Sequence, residues 1–305
     1  MITATGGTAL NSVSYYRPGT IKEALEILNE VEGVFPMAGG TDLAVQMRDG
    51  RKEPQGILDL SPLDMGGIQR RESGWSIGAG TTMTGLIEEA ETGKRGSSLE
   101  LVARAASVLG GQQIRNRATV GGNICNASPA ADSVCALMAV DAEVTVENPG
   151  GKRRLDIADV FEGPGSTRLA KNELLTEIFI KDSNPPEGAI LVQDYFKMGG
   201  RTSLVCAIAS AACLTVMHEN KVLSCSMAFG SVAPTPWKAK FPSEKLENME
   251  LTMELIRDSG LAAAGEISPI DDPRASGAYR RNVVRAFVMQ HLLNCFSASH
   301  NNVKK

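Results

Sequence analysis

The sequence lacks the residue clusters that hold metal ions or carry out catalysis. Its six cysteines stand at positions 125, 135, 206, 213, 225 and 295 without a Cys-x-x-Cys pair, and its three histidines are scattered at 218, 291 and 300. Zinc and iron–sulfur sites need closely spaced thiolates or imidazoles, so the sequence predicts no metal site. No Ser-His-Asp or Cys-His set is evident, and we predict no catalytic residue. Because free cysteines are usually buried, we expect buried, reduced thiols in a cytoplasmic protein.

The sequence also has few aromatic residues, a small net charge and no long apolar run, which bears on nucleic-acid and membrane partners. Aromatic residues make up 5% of the chain and the net charge is −4, which disfavours the base stacking and phosphate neutralisation used to bind nucleic acids. The longest apolar run, residues 204–217, has 14 residues, too few to span a bilayer. Residues 1–12 are small and polar, unlike a signal peptide, and we expect them to be loosely held. The composition therefore predicts neither a nucleic-acid partner nor a membrane span.

Glycine, in contrast, is abundant, with 31 in a chain of 305 residues. The pair Gly39-Gly40 follows a predicted strand and precedes a predicted helix. The pair Gly121-Gly122 follows a short run of β character at 118–120, and Ser128-Pro129 then predicts a helix start. Glycine lets backbone N–H groups approach an anion closely, and a helix start adds positive partial charge. We predict that the two turns hold two phosphates of one ligand, although paired glycines also occur in ordinary turns. Neither turn has the Walker lysine or the G-x-G-x-x-G pattern.

The order of predicted strands and helices divides the chain into two parts. Helices and strands alternate in the first part, which includes a capping box at Thr20 and Glu23 and an edge strand at 173–180. The segment Asn184-Pro185-Pro186 predicts a linker. The elements predicted after it are antiparallel strands at 191–198, 205–215 and 224–230 and helices near 246–259 and 272–295. We predict an α+β fold with one domain at 1–182, divided near residue 60, and a second at 183–305.

Several motifs occur together along nearly the whole chain. They are QIRNRATVGGNI and ASPAAD between Gln112 and Asp132, AGGTDL at 38–43, IGAGTT at 77–82, Glu173-Leu174-Leu175, Tyr195-Phe196-Lys197 and DPRASGAYRR at 272–281. Together they resemble the flavin-binding subunit of the molybdenum hydroxylases, a family that includes xanthine dehydrogenase and the medium subunit of carbon monoxide dehydrogenase. The resemblance implies a two-lobed FAD-binding domain of the vanillyl-alcohol oxidase type. A smaller C-terminal domain of antiparallel sheet and helices would follow it.

The resemblance also implies FAD as the cofactor and assigns contacts at the matching positions. The first diphosphate loop would be Ala38, Gly39, Gly40, Thr41 and Asp42, and the second would be Thr119, Gly121, Gly122 and Asn123. Ser128 and Asp132 would contact the ribityl and ribose hydroxyls, for which a carboxylate is a suitable acceptor. Leu175 would pack on the isoalloxazine ring, and Lys197 would lie near its pyrimidine end, where a cation stabilises negative charge.

Each of these side chains has an ordinary structural alternative. Asp132 could cap its own helix, Leu175 could be a core residue, and Lys197 could be solvated on an exposed strand. Arg115 and Arg117, beside the second turn, could pair with phosphate or with nearby acids.

The implied function is electron transfer within a larger enzyme. Its partners would be a two-iron–two-sulfur subunit and a large molybdopterin subunit, in a dimer of heterotrimers. Because flavin holds one or two electrons, those arriving singly could leave as a pair to NAD or another acceptor. One alternative is a free-standing FAD-dependent reductase, against which the lack of acid–base residues argues. The other is a flavin-free assembly partner, which would not need intact glycine turns.

Overall fold

A computed structural model describes residues 13–92, 97–201 and 204–302. The prediction for residues 1–12 lies outside these ranges. The helices are α1 (Ile21–Glu30), α2 (Leu43–Arg48), α3 (Met83–Thr92), α4 (Ser98–Ser107), α5 (Gln112–Arg115), α6 (Val120–Cys125), α7 (Asp132–Ala139), α8 (Phe241–Lys245), α9 (Met253–Glu266) and α10 (Gly277–Asn302), with a 3-10 helix at Ile157–Val160. The strands are β1 (Ser14–Tyr16), β2 (Val34–Met37), β3 (Gly56–Asp59), β4 (Ile68–Arg71), β5 (Gly74–Gly78), β6 (Glu143–Asn148), β7 (Gly151–Asp156), β8 (Phe161–Gly163), β9 (Ser166–Thr167), β10 (Leu174–Lys181), β11 (Ile190–Met198), β12 (Ala209–His218), β13 (Lys221–Gly230) and β14 (Trp237–Lys238).

The first lobe is a small parallel sheet, in the order β1-β3-β2, with α1 packed beside it. The predicted cap by Thr20 at the start of α1 is confirmed, because Thr20 Oγ1 accepts from the Glu23 N–H at 3.2 Å. The Glu23 carboxylate accepts from Gly19 N–H at 2.8 Å, one residue before the N-cap position of a capping box. Parallel pairing of β2 with β3 places the first glycine turn at the carboxyl end of β2, where open sheets bind ligands.

The second lobe is a five-stranded antiparallel sheet in the order β4-β5-β10-β6-β7. The helices α3, α4 and α7 contribute buried apolar side chains to the core that this sheet shares. The expected edge strand at 173–180 is wrong in its position, because β10 pairs with both β5 and β6 at the centre. Whether a strand is central depends on distant pairing partners and not on its own pattern of side chains.

Two local predictions around the second glycine turn are also wrong. Residues 118–120 do not form a strand: Thr119 is the N-cap of α6, and its Oγ1 accepts from the Gly122 N–H at 3.1 Å. Ser128 does not cap α7, which begins at Asp132. Its Oγ instead accepts from Ala130 N–H at 3.2 Å and closes a local turn.

The C-terminal part is a four-stranded antiparallel sheet, β11-β12-β13-β14, against which α9 and α10 form a second apolar core. The predicted α+β class and the predicted strands followed by helices are confirmed. Both long helices begin later than predicted, at Met253 and Gly277. The segment at 272–276 is a loop in which Asp272 accepts from the buried Arg280 guanidinium at 2.6 Å. Within the described residues, no helix is both long and apolar enough to cross a bilayer.

Candidate functional site

A cleft of about 780 Å³ lies between the two lobes. Both glycine turns line it, together with the ends of β2, β5 and β10. The predicted site residues that line it are Ala38, Gly39, Gly40, Thr41, Asp42, Thr119, Gly121, Gly122, Asn123 and Leu175. Segments far apart in the sequence therefore meet at one concave surface.

The first turn presents unpartnered donors to this cleft. Among the described residues, none accepts a hydrogen bond from the backbone N–H groups of residues 39–42. Gly40 has φ +73°, a left-handed conformation that glycine adopts without strain. Asp42 is the N-cap residue of α2 but makes no capping bond with its side chain. Consecutive free N–H groups beside a helix start form an anion-binding surface.

The second turn has a different role. The N–H groups of Gly121, Gly122 and Asn123 donate to Ala79 O, Thr119 Oγ1 and Thr119 O at 2.9, 3.1 and 2.9 Å. These amides are therefore engaged within the protein. Glycine is required here for packing, since a Cβ on Gly121 would lie 2.7 Å from the Cβ of Ala79. The absence of side chains lets α6 start directly against the end of β5.

The two turns are in contact. A Cβ on Gly39 would lie 1.9 Å from the carbonyl oxygen of Arg117, just before the second turn. Gln46 of α2 donates from Nε2 to Asn126 Oδ1 at 2.8 Å and joins the helices that follow the two turns. These contacts hold the two turns and the helices after them together.

Charge in the cleft is mixed. Desolvation raises the pKa of the Asp42 carboxyl, while the nearby Arg51 guanidinium lowers it. Arg51, Lys52 and Arg117 also line the cleft. Arg115 is used within the chain, because its guanidinium donates to Leu109 O at 3.2 Å, to Gly110 O at 3.0 Å and to Gln112. Of the two arginines that the sequence offered for phosphate, only Arg117 borders the cleft.

Part of the cleft wall is apolar. Leu175 at the start of β10 is 3% exposed, and Leu109, Leu169 and Leu174 line the cleft with it. A flat aromatic group can pack on such a surface while polar groups at the opposite end bind charge. Leu175 therefore belongs both to the core and to the wall.

Asp132 and Lys197 do not line the cleft. They form a buried ion pair, with 2.7 Å between Lys197 Nζ and Asp132 Oδ2 and side-chain exposures of 12% and 7%. Tyr195 donates its hydroxyl proton to the other carboxylate oxygen at 2.7 Å. Burial raises the pKa of the Asp132 carboxyl, and the charge of Lys197 and the two hydrogen bonds lower it. Lys197 is therefore largely buried and paired, and the alternative of a solvated Lys197 is wrong.

Ser128 lines a smaller adjoining cavity of about 390 Å³. This cavity shares Thr41, Asp42, Gln46 and Arg51 with the main cleft. Ser128 therefore lies beyond the first turn, separate from Leu175.

Several residues of the cleft wall were not predicted from the sequence. Ala79 and Gly80 follow β5, and Gly165 and Thr167 belong to the β8–β9 hairpin. The IGAGTT motif at 77–82 marks a strand end and could have identified the first two. The short hairpin has no comparable local pattern.

The cysteines agree only in part with expectation. Cys135, Cys213, Cys225 and Cys295 are buried and free, whereas Cys125 and Cys206 are exposed. Over the described ranges, the His, Cys, Asp and Glu side chains form no group able to hold a metal ion.

The two-lobed fold and the cleft lined by both glycine turns are suited to an extended, anionic ligand. Residues 11–181 match the family described as the FAD binding domain in molybdopterin dehydrogenase, and residues 194–295 match the CO dehydrogenase flavoprotein C-terminal domain. The chain therefore belongs to the family of FAD-binding subunits of xanthine and carbon monoxide dehydrogenase-type molybdenum hydroxylases.

Individual relatives align over most of their length. The chain is 28% identical to the xanthine dehydrogenase FAD-binding subunit of Escherichia coli O157:H7, over 94% of this chain and 97% of the relative. It is 30% identical to the nicotinate dehydrogenase FAD-subunit of Eubacterium barkeri, over 81% and 83%. A solved structure of carbon monoxide dehydrogenase from Hydrogenophaga pseudoflava superposes with a TM-score of 0.85 at 27% identity, over 94% of this chain and 98% of that one.

The cofactor is FAD, and the chain is a subunit of an FAD-dependent oxidoreductase. The cleft fits this cofactor, because it offers free N–H groups at the first turn for an anionic diphosphate and an apolar wall for a flat ring. The predicted family and cofactor are confirmed.

Proposed function

We propose that this chain transfers electrons between an iron–sulfur partner and a soluble two-electron acceptor such as NAD. The FAD site carries this proposal: residues 39–42, whose N–H groups have no acceptor among the described residues, and the apolar Leu175 line a single cleft. Bound FAD supplies a group able to take up electrons one at a time and release them in pairs.

We assign the binding roles within the cleft as follows. The first turn, residues 38–42, holds the diphosphate through its N–H groups. The second turn lines the cleft next to the first through Thr119, Gly121, Gly122 and Asn123, and its close packing keeps it in place. Leu175 contacts the ring. Ser128 is assigned to the polar hydroxyls of the ligand from the adjoining cavity.

We also assign Asp132 and Lys197 to the FAD site, although they lie behind the residues that line the cleft. Lys197 Nζ is paired with Asp132 and also donates to Val108 O, beside Leu109 of the cleft, so the ammonium group lies near the cleft. Such a charge would favour negative charge on a reduced ring.

The partners that we propose are a two-iron–two-sulfur subunit and a large molybdopterin subunit, in a dimer of heterotrimers. The names of relatives support partnership: one is the medium chain of carbon monoxide dehydrogenase and another the FAD-binding subunit of xanthine dehydrogenase.

We also propose that the protein is cytoplasmic. We propose two domains, one at 1–182, divided near residue 60, and one at 183–305.

Isolation of the native assembly tests this proposal. For each copy of this chain the assembly should contain one FAD, one molybdenum and about two to four irons, as expected for one or two two-iron clusters. Its mass should correspond to two copies of each subunit. Substrate-reduced assembly should then reduce NAD in stopped-flow measurements. A monomeric flavoprotein that turns over a substrate without partners would instead favour a free-standing reductase.

A further inference from the structure

Strand β11 presents alternate side chains to the two halves of the molecule. Gln193 donates from Nε2 to Ser97 O at 3.1 Å on the side of the FAD-binding lobes. The next residue, Asp194, faces the other way and contacts His291 Nδ1 of α10 at 2.7 Å. The strand is thereby anchored on both faces. Its next two side chains toward the lobes, Tyr195 and Lys197, meet at Asp132.

We propose that Tyr195 is a positioning residue of the FAD site. Its hydroxyl holds the carboxylate of Asp132, and this arrangement fixes two residues of the cleft wall, Leu109 and Asn123. The inference rests on the proposed function only in taking this cleft as the place where FAD binds.

The carboxylate of Asp132 has one protein donor on each oxygen. Tyr195 Oη donates to Oδ1 at 2.7 Å, and Lys197 Nζ donates to Oδ2 at 2.7 Å. Asp132 is 5% exposed, so water has little access to replace either donor. Burial and the neighbouring Asp132 charge raise the pKa of the Tyr195 hydroxyl well above its ordinary value, which keeps it a proton donor.

Two short connections lead from this carboxylate to the cleft. Lys197 Nζ also donates to the carbonyl oxygen of Val108 at 2.9 Å, and the next residue, Leu109, lines the cleft. On the other side, Ser133 follows Asp132 directly and donates from Oγ to Asn123 Oδ1 at 2.6 Å. Asn123 also lines the cleft. Movement of the Asp132 carboxylate would therefore reach the cleft wall by two short links, one through Lys197 and Val108 to Leu109 and the other through Ser133 to Asn123.

The variant Tyr195→Phe removes the hydroxyl and keeps the ring. The FAD dissociation constant of the purified full-length chain, from fluorescence titration, should rise on the order of tenfold, as for loss of a hydrogen bond to a charged group. The midpoint potential of the bound flavin should shift as well, because Lys197 is less firmly held. Tyr279→Phe is the matched control, since Tyr279 is 45% exposed on α10, and it should leave both quantities unchanged.

A double-mutant cycle tests the route through Asp132. If Tyr195 acts through that carboxylate, Tyr195→Phe should have little further effect on FAD affinity in an Asp132→Ala background. Asp132→Asn provides a second background if Asp132→Ala does not fold, because a hydrogen bond to a neutral amide is weaker than one to a carboxylate. An effect of Tyr195→Phe in these backgrounds as large as in the wild-type chain would overturn the proposal.

The remaining outcomes are distinguishable. Wild-type affinity and potential in Tyr195→Phe, even with a lowered melting temperature, would mean a merely structural hydroxyl and would overturn the proposal while leaving the proposed function intact. Failure of the wild-type chain to bind FAD would overturn both.

Discussion

At the residue scale, Gly39 is the position with the least space in the site. Its α-carbon packs on the carbonyl of Arg117, so the separation of the two turns depends on the missing side chain. Gly121 is comparable, with Ala79 as its neighbour. The two glycines thus fix the width of the cleft by contact, in addition to any role in ligand binding.

Gly39→Ala should therefore separate the turns and abolish FAD retention. The added Cβ would lie 1.9 Å from a backbone oxygen, and overpacking of this kind costs roughly 1–3 kcal/mol. Flavin absorbance after gel filtration and urea denaturation measure the two effects. Gly265→Ala is the control, because its Cβ would meet nothing within 4 Å in α9. That variant should retain FAD and gain roughly 0.5–1 kcal/mol.

Lys197→Met should destabilise the protein in a pH-dependent way. Removing a partner of a buried ion pair costs roughly 3–5 kcal/mol when the remaining group stays charged. Burial already raises the pKa of Asp132, and loss of Lys197 removes a charge that lowers it. When the pKa of a carboxyl is higher in the folded than in the unfolded protein, the protein loses stability as pH rises from the unfolded pKa to the folded pKa. Urea denaturation should therefore find a larger loss at pH 8 than at pH 5; an equal loss at both would contradict a buried Asp132.

At the scale of elements, the start of β10 is tied to the edge of its sheet by charge. The guanidinium of Arg153 on β7 donates twice to Glu173, at 2.7 Å to each carboxylate oxygen. Glu173 also accepts from Ala170 N–H at 2.8 Å and lines the cleft. The ion pair therefore supports the wall that contains Leu175.

Glu173→Gln should cost roughly 1–2 kcal/mol at neutral pH. The Arg153 hydrogen bonds lower the pKa of Glu173 below its ordinary value of 4.5, against the opposing effect of burial. Its contribution is fully present above about pH 4.5 and is lost as pH falls through the folded pKa. The stabilities of variant and wild type, from denaturation between pH 3 and 7, should converge at the acid end.

The control is Glu143→Gln on the same sheet. Its contact with Arg154 is longer, at 3.5 Å, and both side chains are exposed, at 42% and 62%. Exposed pairs contribute little, so this variant should be close to wild type throughout. A pH-independent cost in Glu173→Gln would point to lost packing and not to lost charge.

At the scale of the whole molecule, α7 joins the two parts of the chain. All of its residues are buried, and it contacts α4 of the FAD-binding lobes as well as β12 and β13. Ala212 and Ala228 from the C-terminal sheet belong to the core of the first part, and the thiol of Cys135 donates to Ala228 O at 3.3 Å. The two parts therefore share an apolar interface of the kind found within a domain.

Thermal unfolding of the apoprotein should for this reason be one cooperative transition. Calorimetric and van't Hoff enthalpies should agree, with a ratio of about 1. Two separate transitions in the calorimetric scan would contradict a shared core.

The alternation and capping patterns of single elements could be predicted from sequence. Thr20 caps α1 as expected, and β11 and β13 lie close to the strands predicted at 191–198 and 224–230. The assignment of 118–120 to a strand was wrong because Thr119 can either continue a strand or cap a helix, and its contact with Gly122 decides. It could not be predicted that β10 is a central strand or that the β8–β9 hairpin lines the cleft, since both facts depend on residues far away in the chain.

The sequence by itself determined the family, the cofactor and the residues of both glycine turns, because these are properties of short, contiguous segments. Only the tertiary structure decided which turn has free N–H groups, since that depends on whether Ala79 and Thr119 lie close enough to accept them. It also decided that Asp132 and Lys197 pair with each other behind the wall, with Tyr195 as their third partner. A burial or a hydrogen bond between distant residues exists only once the chain has folded.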